Sequence, residues 1–165
     1  MNKTNMEQWI ASLFTTSAKK PLPILSFPSI QLMGCTVRDL ISDSHMQAQG
    51  MKRVADRVPS AAAVSLMDLS VEAECFGAPV RVADDEVPTC TAPVISVEDE
   101  EDERMEQAKA LAVPKVGAGR TALYIDAIRE ALTLITDRPV LAGVIGPFSL
   151  AGRLVSVTES MLYCY

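Results

Sequence analysis

Apolar residues follow a helical period in some stretches of this chain and form short continuous runs in others. Residues 1–20 carry one apolar face at helical spacing, and Thr4 and Glu7 have the spacing of a capping box near its start. Lys20 and Pro21 would end this helix. The pattern therefore predicts an N-terminal helical extension over residues 1–20, whose apolar face consists of Met6, Trp9, Ile10, Leu13 and Phe14.

Three continuous apolar runs are typical of buried strands: residues 22–29, 61–69 and 140–145. Helical patterns lie between these runs, each with a capping residue at its start. Strands that alternate with helices indicate parallel pairing through right-handed crossovers. The predicted helices are residues 37–42 after Thr36, a longer helix that begins at Asp43 or Ser44 and runs to Val58, and residues 122–135 after Thr121.

Two further stretches are expected to lie away from the core. Residues 79–99 mix short β-like pieces with prolines, which suggests an excursion between elements rather than a core strand. Residues 97–107 are dominated by charged side chains, and we expect a solvated helix or loop there. Before the excursion, residues 70–77 predict a short helix that ends at Gly77.

The ends of the predicted strands carry the candidate site residues. Ser26 and Phe27, Asp68, and Gly146 all follow the carboxyl end of a strand, where (β/α)8 barrels place their functional groups. Three strands cannot close such a barrel, which needs about eight. Residues 1–165 are therefore expected to form the N-terminal part of a single α/β domain of the TIM-barrel class, covering its first three β/α units. The open edge would be covered by missing sequence, a second chain or an oligomer.

Charge and composition narrow the range of partners. The net charge of −6 argues against nucleic acids and anionic membranes, since both bind basic surfaces. No apolar stretch is long enough to span a bilayer. The N-terminus also lacks the continuous apolar block of a secretory signal, so we expect a cytoplasmic protein.

Thiol and metal chemistry have little support in the sequence. The four cysteines lie far apart without Cys-x-x-Cys or His-x-Cys spacing, and we expect reduced thiols, two or more of them buried. The single histidine, His45, falls near the start of a helix, where we expect it to be exposed and not catalytic. No metal ligand is therefore assigned. The cysteines are Cys35, Cys75, Cys90 and Cys164.

Nearly the whole chain resembles the N-terminal half of the uroporphyrinogen decarboxylase superfamily, which also contains the methylcobamide:coenzyme M methyltransferases. The resemblance rests on "AAAVSLMDLSVEAECFGAPV", "GRTALYIDAIREALTLITDRPVLAGVIGPFSLAGRLV" and, more weakly, "LPILSFPSIQLMG" and "VRDLISDSHMQAQGMKRVADRVPSA". The segment "GPFSLA" after an apolar strand is the most specific. It implies a barrel of about twice this length, in which residues 140–145 form the third strand and Tyr165 falls within the helix that follows.

The decarboxylase branch binds its substrate through arginines after the first strand, because arginine pairs a carboxylate bidentately. At the matching place this chain has "SFPSIQ", from Ser26 to Gln31, with no arginine. Arg153 also stands where that branch has a tyrosine after the third strand. Only the catalytic aspartate of the branch has a match, at Asp68. These departures disfavour porphyrinogen decarboxylation.

The methyltransferase branch commonly shows the "DLSVEA" type of segment after the second strand. This resemblance implies methyl transfer from a methylated corrinoid protein to a thiol such as coenzyme M, with zinc activating the thiol. The zinc ligands of the family lie in its C-terminal half. This chain alone is therefore expected to bind neither zinc nor methylcobamide and to be catalytically incomplete. The alternatives are uroporphyrinogen decarboxylase itself, acting on a tetrapyrrole, and a non-catalytic half-barrel that binds a corrinoid or a partner chain.

The resemblance implies a role for each candidate residue, and each also has a structural alternative. Asp68 would stabilise positive charge on substrate nitrogens or orient a neighbour, or else cap the next helix. Gly146 would let a flat ring approach the backbone. Arg153 would bind a sulfonate, phosphate or carboxylate, or form a surface salt bridge. The other substrate-binding candidates are Ser26, Phe27, Gln31, Pro147 and Phe148.

Two weaker motifs complete the set. Glu72 and Glu74 stand two residues apart, so they cannot share a helix face. We expect them to be solvated, although one of them can reach the cleft. Gly117-x-Gly119 before a helix is similar to a phosphate loop, but it lacks the further glycine and the preceding strand of that motif.

Overall fold

The computed structural model describes residues 4–96 and 98–162. Cys164 and the chain end at Tyr165, about which the sequence makes predictions, lie outside these residues. In chain order the elements are α1 (Met6–Thr15), α2 (Ser29–Met33), α3 (Val37–Ser42), α4 (Ser44–Arg57), β1 (Ala63–Val64), α5 (Val71–Cys75), β2 (Val80–Arg81), β3 (Thr89–Cys90), α6 (Glu101–Ala110), α7 (Thr121–Leu134), β4 (Val140–Leu141), α8 (Pro147–Leu154) and α9 (Val157–Leu162).

Side-chain caps begin the two helices that precede β1. The Thr36 hydroxyl accepts a hydrogen bond from the Asp39 N–H at 3.0 Å, and the Asp39 carboxylate accepts one from the Thr36 N–H at 3.0 Å, which completes a capping box at α3. Asp43 caps α4 by accepting the Met46 N–H. Both caps are predicted by the sequence, because the chemistry of a cap is local.

Two other predicted caps are wrong. The side chain of Asn5, not of Thr4, caps α1 by accepting the Gln8 N–H at 3.0 Å. Thr121 is the first residue of α7, and its hydroxyl donates to the Ala118 carbonyl at 2.5 Å instead of capping the helix. A side-chain cap requires an extended residue before the helix, whereas the residue before α7 is already helical, with φ −68° and ψ −14°.

The predicted parallel pairing of the second and third strands is present but short. β1 and β4 pair in parallel, with Ala63 opposite Val140 and Val64 opposite Leu141. β2 and β3 form a separate antiparallel pair within the stretch predicted to be an excursion. The described residues are therefore mixed α/β, with one parallel pair at the centre and a small hairpin outside it.

The strand predicted over residues 22–29 does not form. This segment lies beside β1, because the Ala61 N–H donates to the Pro21 carbonyl at 2.8 Å and the Met67 N–H donates to the Ser26 hydroxyl at 3.3 Å. Pro21 and Pro23 have no N–H to donate, so a regular ladder with β1 is interrupted. The apolar run is accordingly an extended segment that turns into α2, and two of the three predicted strands are observed.

The core lies where α4 and α7 pack over β1. Ala48 and Ala131 are completely inaccessible to solvent, and their small side chains let the two helices approach closely. A second apolar cluster joins α3 to the residues after β1, and a third joins α5 to α8. The first cluster consists of Ala48, Met51, Ala55, Ala63, Ala131 and Ile135.

Two helices contribute nothing to this core. The acidic helix α6 has no buried residue, as the charge run predicts. Helix α1 also has no buried residue, and the side chain of Phe14 on its apolar face is 79% exposed. In the described segments no helix combines the length and the hydropathy needed to cross a membrane.

Candidate functional site

The carboxyl ends of β1 and β4 lie side by side, because the two strands are parallel neighbours. β1 leads through Asp68 into α5, and β4 leads through residues 142–146 into α8. The chain therefore brings the ends of β1 and β4 to one edge of the sheet, and Ser26 reaches the end of β1 by accepting the Met67 N–H. This edge is where α/β folds place ligands.

Asp68 is an enclosed polar group at this edge, with a side chain that is 0% exposed. Its Oδ1 accepts hydrogen bonds from the Ser70 N–H at 2.9 Å and the Ser70 hydroxyl at 2.6 Å. Its Oδ2 accepts from Nη1 of Arg120 at 2.7 Å and from the Tyr124 hydroxyl at 2.8 Å. A carboxylate offers about four lone-pair positions. All the accepting capacity of Asp68 is thus used by the protein itself.

Arg120 joins the end of β1 to α5. Besides Asp68, its Nε donates to Oε2 of Glu74 at 2.6 Å and its Nη2 donates to the Ser70 hydroxyl at 3.2 Å. Burial lowers the pKa of Arg120, but its bonds to Asp68 and Glu74 outweigh this and leave the pKa raised. We call Asp68, Ser70, Glu74, Arg120 and Tyr124 the Asp68–Arg120 cluster.

Tyr124 supplies the link from this cluster to α7. Burial raises the pKa of its hydroxyl well above the ordinary value, and the neighbouring Asp68 carboxylate raises it further. The hydroxyl therefore remains a donor throughout the neutral range. The helical stripe predicted for α7 includes Tyr124, but nothing in the sequence shows that its hydroxyl meets Asp68, because 56 residues separate the two.

The expectation that Glu72 and Glu74 are solvated is wrong for Glu72, whereas the Glu74 side chain is 37% exposed. Glu74 is held by Arg120 within the cluster. Oε1 of Glu72 accepts the Ile145 N–H at 3.1 Å and so ties α5 to the segment after β4. Oε2 of Glu72 is buried and has no hydrogen-bond partner among the described residues. The two carboxylates do point in different directions, as their spacing predicts.

A cavity of about 530 Å³ opens between α5, α7 and the segment after β4. Its volume falls within the usual range for small-molecule sites. Residues 113–117, which precede α7, form part of the mouth, where Val113 and Val116 are exposed. We call it the strand-end cavity; its polar wall residues are Asp68, Glu72, Cys75, Lys115, Thr121 and Tyr124.

The other predicted site residues lie outside the walls of this cavity. Ser26 is buried, and Phe27 packs against the apolar cluster of α3, so both serve the fold. Gln31 is exposed on α2. Of the predicted site residues, Asp68 alone is in the cavity wall.

Gly146, Pro147 and Phe148 form an open surface at the start of α8, which we call the rim segment. Gly146 is the N-cap of α8 in an extended conformation, Pro147 occupies its first turn, and the Phe148 side chain is 51% exposed. A Cβ atom placed on Gly146 would have nothing within 4 Å. Arg153, one turn further on, is half-buried and makes no ion pair or hydrogen bond within the described residues.

The thiols and the histidine are dispersed. Cys35, Cys75 and Cys90 are unpaired and half-buried rather than fully buried. Cys75 donates to the Ala118 carbonyl at 3.1 Å, and burial raises the pKa of Cys35 and Cys90. His45 is exposed, as expected, and its Nδ1 lies 2.6 Å from Oε1 of Glu130. Residues 4–96 and 98–162 contain no group of three or more His, Cys, Asp or Glu side chains that could hold a metal ion.

One comparison with known proteins identifies the family and another supports the fold. Residues 28–164 match the family model described as Uroporphyrinogen decarboxylase (URO-D). Among solved structures, a methyltransferase from Methanosarcina mazei superposes with a TM-score of 0.73 over 98% of this chain, at 16% identity. At that identity the similarity shows the fold alone. A comparison with curated proteins finds no significant match.

The matched structure is much longer than this chain, which spans 48% of its length. Together with the mixed α/β architecture and the parallel pair, this supports a partial TIM barrel. The family model covers most of the chain, from Pro28 into the last residues. The chain therefore belongs to the uroporphyrinogen decarboxylase family of enzymes.

Proposed function

We propose that the chain is the N-terminal portion of a corrinoid-dependent methyltransferase, which moves a methyl group from a methylated corrinoid protein to a thiol such as coenzyme M. The observation that carries this proposal is the saturation of Asp68. In a decarboxylase this carboxylate would accept hydrogen bonds from the substrate's pyrrole nitrogens. Here its oxygens already accept four hydrogen bonds from the protein.

The cations at the strand ends also disfavour a porphyrinogen with many carboxylates. Arg120 is bound by Asp68 and Glu74, so its guanidinium is not available to a substrate. The segment from Ser26 to Gln31 has no arginine. Desolvated carboxylates on a ligand require paired cations. Uroporphyrinogen decarboxylation is therefore the weaker candidate.

The rim segment supports the docking of a flat ring. Phe148 offers an exposed aromatic surface beside Gly146, where no side chain blocks the backbone. Arg153 lies on the same helix without an ion pair among the described residues, and it suits the sulfonate of a thiol acceptor. In this proposal Asp68 keeps the β1 end in place, while the rim segment and Arg153 meet the substrates.

The zinc that this branch of the family uses would make a bound thiol more nucleophilic. The described residues do not fit it, because their His, Cys, Asp and Glu side chains form no cluster of three. No step of the proposal is therefore assigned to zinc in this chain. Its ligands would come from the remaining half of the barrel.

That half, in the same or a second chain, would also pair with the open sheet. Within the described residues β1 and β4 pair only with each other, and an unpaired parallel strand is normally covered. An oligomer of this chain would satisfy the same need. A non-catalytic half-barrel that binds a corrinoid is the alternative outcome, distinguished by binding without methyl transfer.

Ligand titration tests the proposal. The chain is titrated with methylcobalamin and, separately, with uroporphyrin, and binding is followed by absorbance and by quenching of Trp9 fluorescence. In contrast to the expectation from the sequence alone, the exposed rim segment leads us to expect that methylcobalamin binds to this chain and that uroporphyrin does not. Phe148→Ala should weaken methylcobalamin binding several-fold. Thr133→Ala, at an exposed position on α7, serves as the control. Binding of uroporphyrin without methylcobalamin would contradict the proposal.

A further inference from the structure

Glu72 carries a buried carboxylate oxygen at the strand ends that the protein leaves without a hydrogen bond. Its Oε1 accepts a single hydrogen bond, from the Ile145 N–H, and Oε2 accepts none among the described residues. A buried carboxylate oxygen without a donor is costly, so native proteins seldom retain one without a use. Four residues earlier in the chain, Asp68 shows the opposite condition, with both oxygens fully bonded.

The other polar side chains in the wall of the strand-end cavity are already engaged. The Tyr124 hydroxyl donates to Asp68, and the Thr121 hydroxyl and the Cys75 thiol both donate to the Ala118 carbonyl. The interior is otherwise built from apolar side chains. The polar capacity left for an occupant is therefore the Glu72 carboxylate on the wall and the exposed Lys115 at the mouth.

Charge decides between these two groups. Of the two carboxylates in the cavity wall, Asp68 is neutralised by its ion pair with Arg120, whereas Glu72 makes no ion pair within the described residues. Lys115 is exposed, and solvent screens its ammonium group. A carboxylate held in an apolar wall is screened less and favours a positive partner.

We propose that Glu72 is the ligand-binding carboxylate of the strand-end cavity, and that the cavity takes a molecule with an apolar body and an ammonium group. The apolar walls bury the body, and the ammonium donates to Glu72. The terminal torsion of a glutamate is broad, so a small rotation brings an oxygen toward the ligand while the other keeps the Ile145 N–H. This ligand is distinct from an anionic thiol acceptor, which Arg153 would meet outside the cavity.

Ligand binding in the cavity does not depend on the proposed function. Only the reaction in which such a ligand would take part rests on that function. Its readout is equilibrium binding rather than methyl transfer. A cavity that rejects ammonium ligands would leave corrinoid binding at the rim segment unaffected. Conversely, failure of methylcobalamin to bind would leave ammonium binding in the cavity to be measured. The two failures are therefore distinguishable.

Three probes with similar apolar bodies test the charge preference: phenethylammonium, phenethyl alcohol and 3-phenylpropanoate. Each is titrated into the full ¹⁵N-labelled chain, and dissociation constants come from amide shifts of cavity residues. We expect phenethylammonium to bind about tenfold or more tightly than 3-phenylpropanoate, as for a charge-assisted hydrogen bond. Equal affinities, or no binding at cavity residues, would overturn the inference without any variant being made.

Glu72→Gln is the matched variant, because an amide oxygen can still accept the Ile145 N–H. In this variant the dissociation constant of phenethylammonium should lie within about twofold of that of phenethyl alcohol. The dissociation constant of phenethyl alcohol should not change. Glu106→Gln removes the same charge from the exposed helix α6 and should behave as the wild type. An unchanged phenethylammonium affinity in Glu72→Gln, or an equal loss for all three probes, would overturn the role of Glu72.

Discussion

The ends of β1 and β4 are neighbours in space and opposite in character. At the end of β1, Asp68 is completely buried and every acceptor position on its carboxylate is bonded to the protein. At the end of β4, the rim segment is exposed, Phe148 is half uncovered and Arg153 has no partner within the described residues. The sequence alone suggests a functional role for both.

The difference shows how to separate structural from functional polar groups at a strand end. A side chain whose bonds are all made within the fold stabilises the fold and has nothing left for a ligand. One that is fixed but incompletely bonded, such as Glu72, or open, such as Phe148, can still bind. Position at the carboxyl end of a strand is therefore necessary but not sufficient evidence of function.

The largest expected effect on stability is at the end of β1, where the Asp68 carboxylate is fully bonded. Asp68→Ala would leave the Tyr124 hydroxyl and Nη1 of Arg120 without their acceptor in a largely buried place, although Arg120 would keep its bond to Glu74. Removing one partner of a buried ion pair costs about 3–5 kcal/mol. We expect a loss of this size in the free energy of unfolding, measured by urea denaturation followed by circular dichroism.

An exposed ion pair provides the control for this variant. Asp126 pairs with Arg129 on the solvent side of α7, and both side chains are more than half exposed. Such pairs contribute about 0–1 kcal/mol, so Asp126→Ala should leave stability almost unchanged. If Asp68→Ala cost no more than Asp126→Ala, the Asp68–Arg120 cluster would not be the structural link described.

A smaller effect is expected for Tyr124→Phe, which removes one of the four bonds to Asp68 and leaves the ring in place. Loss of a hydrogen bond to a charged group costs about 1.5–3 kcal/mol. Because the pKa of Tyr124 is raised in the native state, the stabilisation is complete below the unfolded value of about 10 and is lost as pH rises above it.

Urea denaturation of the wild type and of Tyr124→Phe at pH 7, 9 and 11 checks this dependence. The difference in unfolding free energy between the two proteins should stay constant from pH 7 to 9 and shrink at pH 11. The other tyrosines and the lysines titrate in both proteins and cancel in the difference. A difference that does not change with pH would contradict the burial of the Tyr124 hydroxyl against Asp68.

The smallest effect on stability is expected in the rim segment, at the end of β4. Gly146 has φ −72°, which any residue adopts, and an added Cβ meets nothing within 4 Å. Gly146→Ala should therefore change the melting temperature very little, within about 0.5 kcal/mol in free energy. If a ring approaches the backbone here, the same variant weakens methylcobalamin binding. A large loss of stability would mean that the rim segment is not open.

Most of the helical framework was predictable because its signals are local. The Thr36–Asp39 capping box, the Asp43 cap and the Gly77 turn each involve residues within a few positions of one another. The parallel pairing of β1 with β4 follows from the alternation of apolar runs and helices. The strand predicted over residues 22–29 does not form, because Pro21 and Pro23 lack the N–H donors that a regular ladder needs despite the apolar content of the segment.

The candidate site was less predictable because its contacts are distant in sequence. Asp68 and Arg120 are 52 residues apart and Glu74 and Arg120 are 46 apart, so no spacing rule reveals their ion pairs. The spacing of Glu72 and Glu74 allows one of them to reach the cleft but does not show that it is Glu72. Its bond to the Ile145 N–H exists only because β4 lies beside β1. The resemblance identified the family but not the internal bonding of Asp68.

A double-mutant cycle between Asp68 and Arg120 tests the central claim most directly. Unfolding free energies are measured in urea for the wild type, Asp68→Asn, Arg120→Gln and the double variant. If the two residues form the closed ion pair described, the double variant should cost less than the two single variants together, by about 1–3 kcal/mol. Additivity to within about 0.5 kcal/mol would contradict the account and leave Asp68 free to act on a substrate.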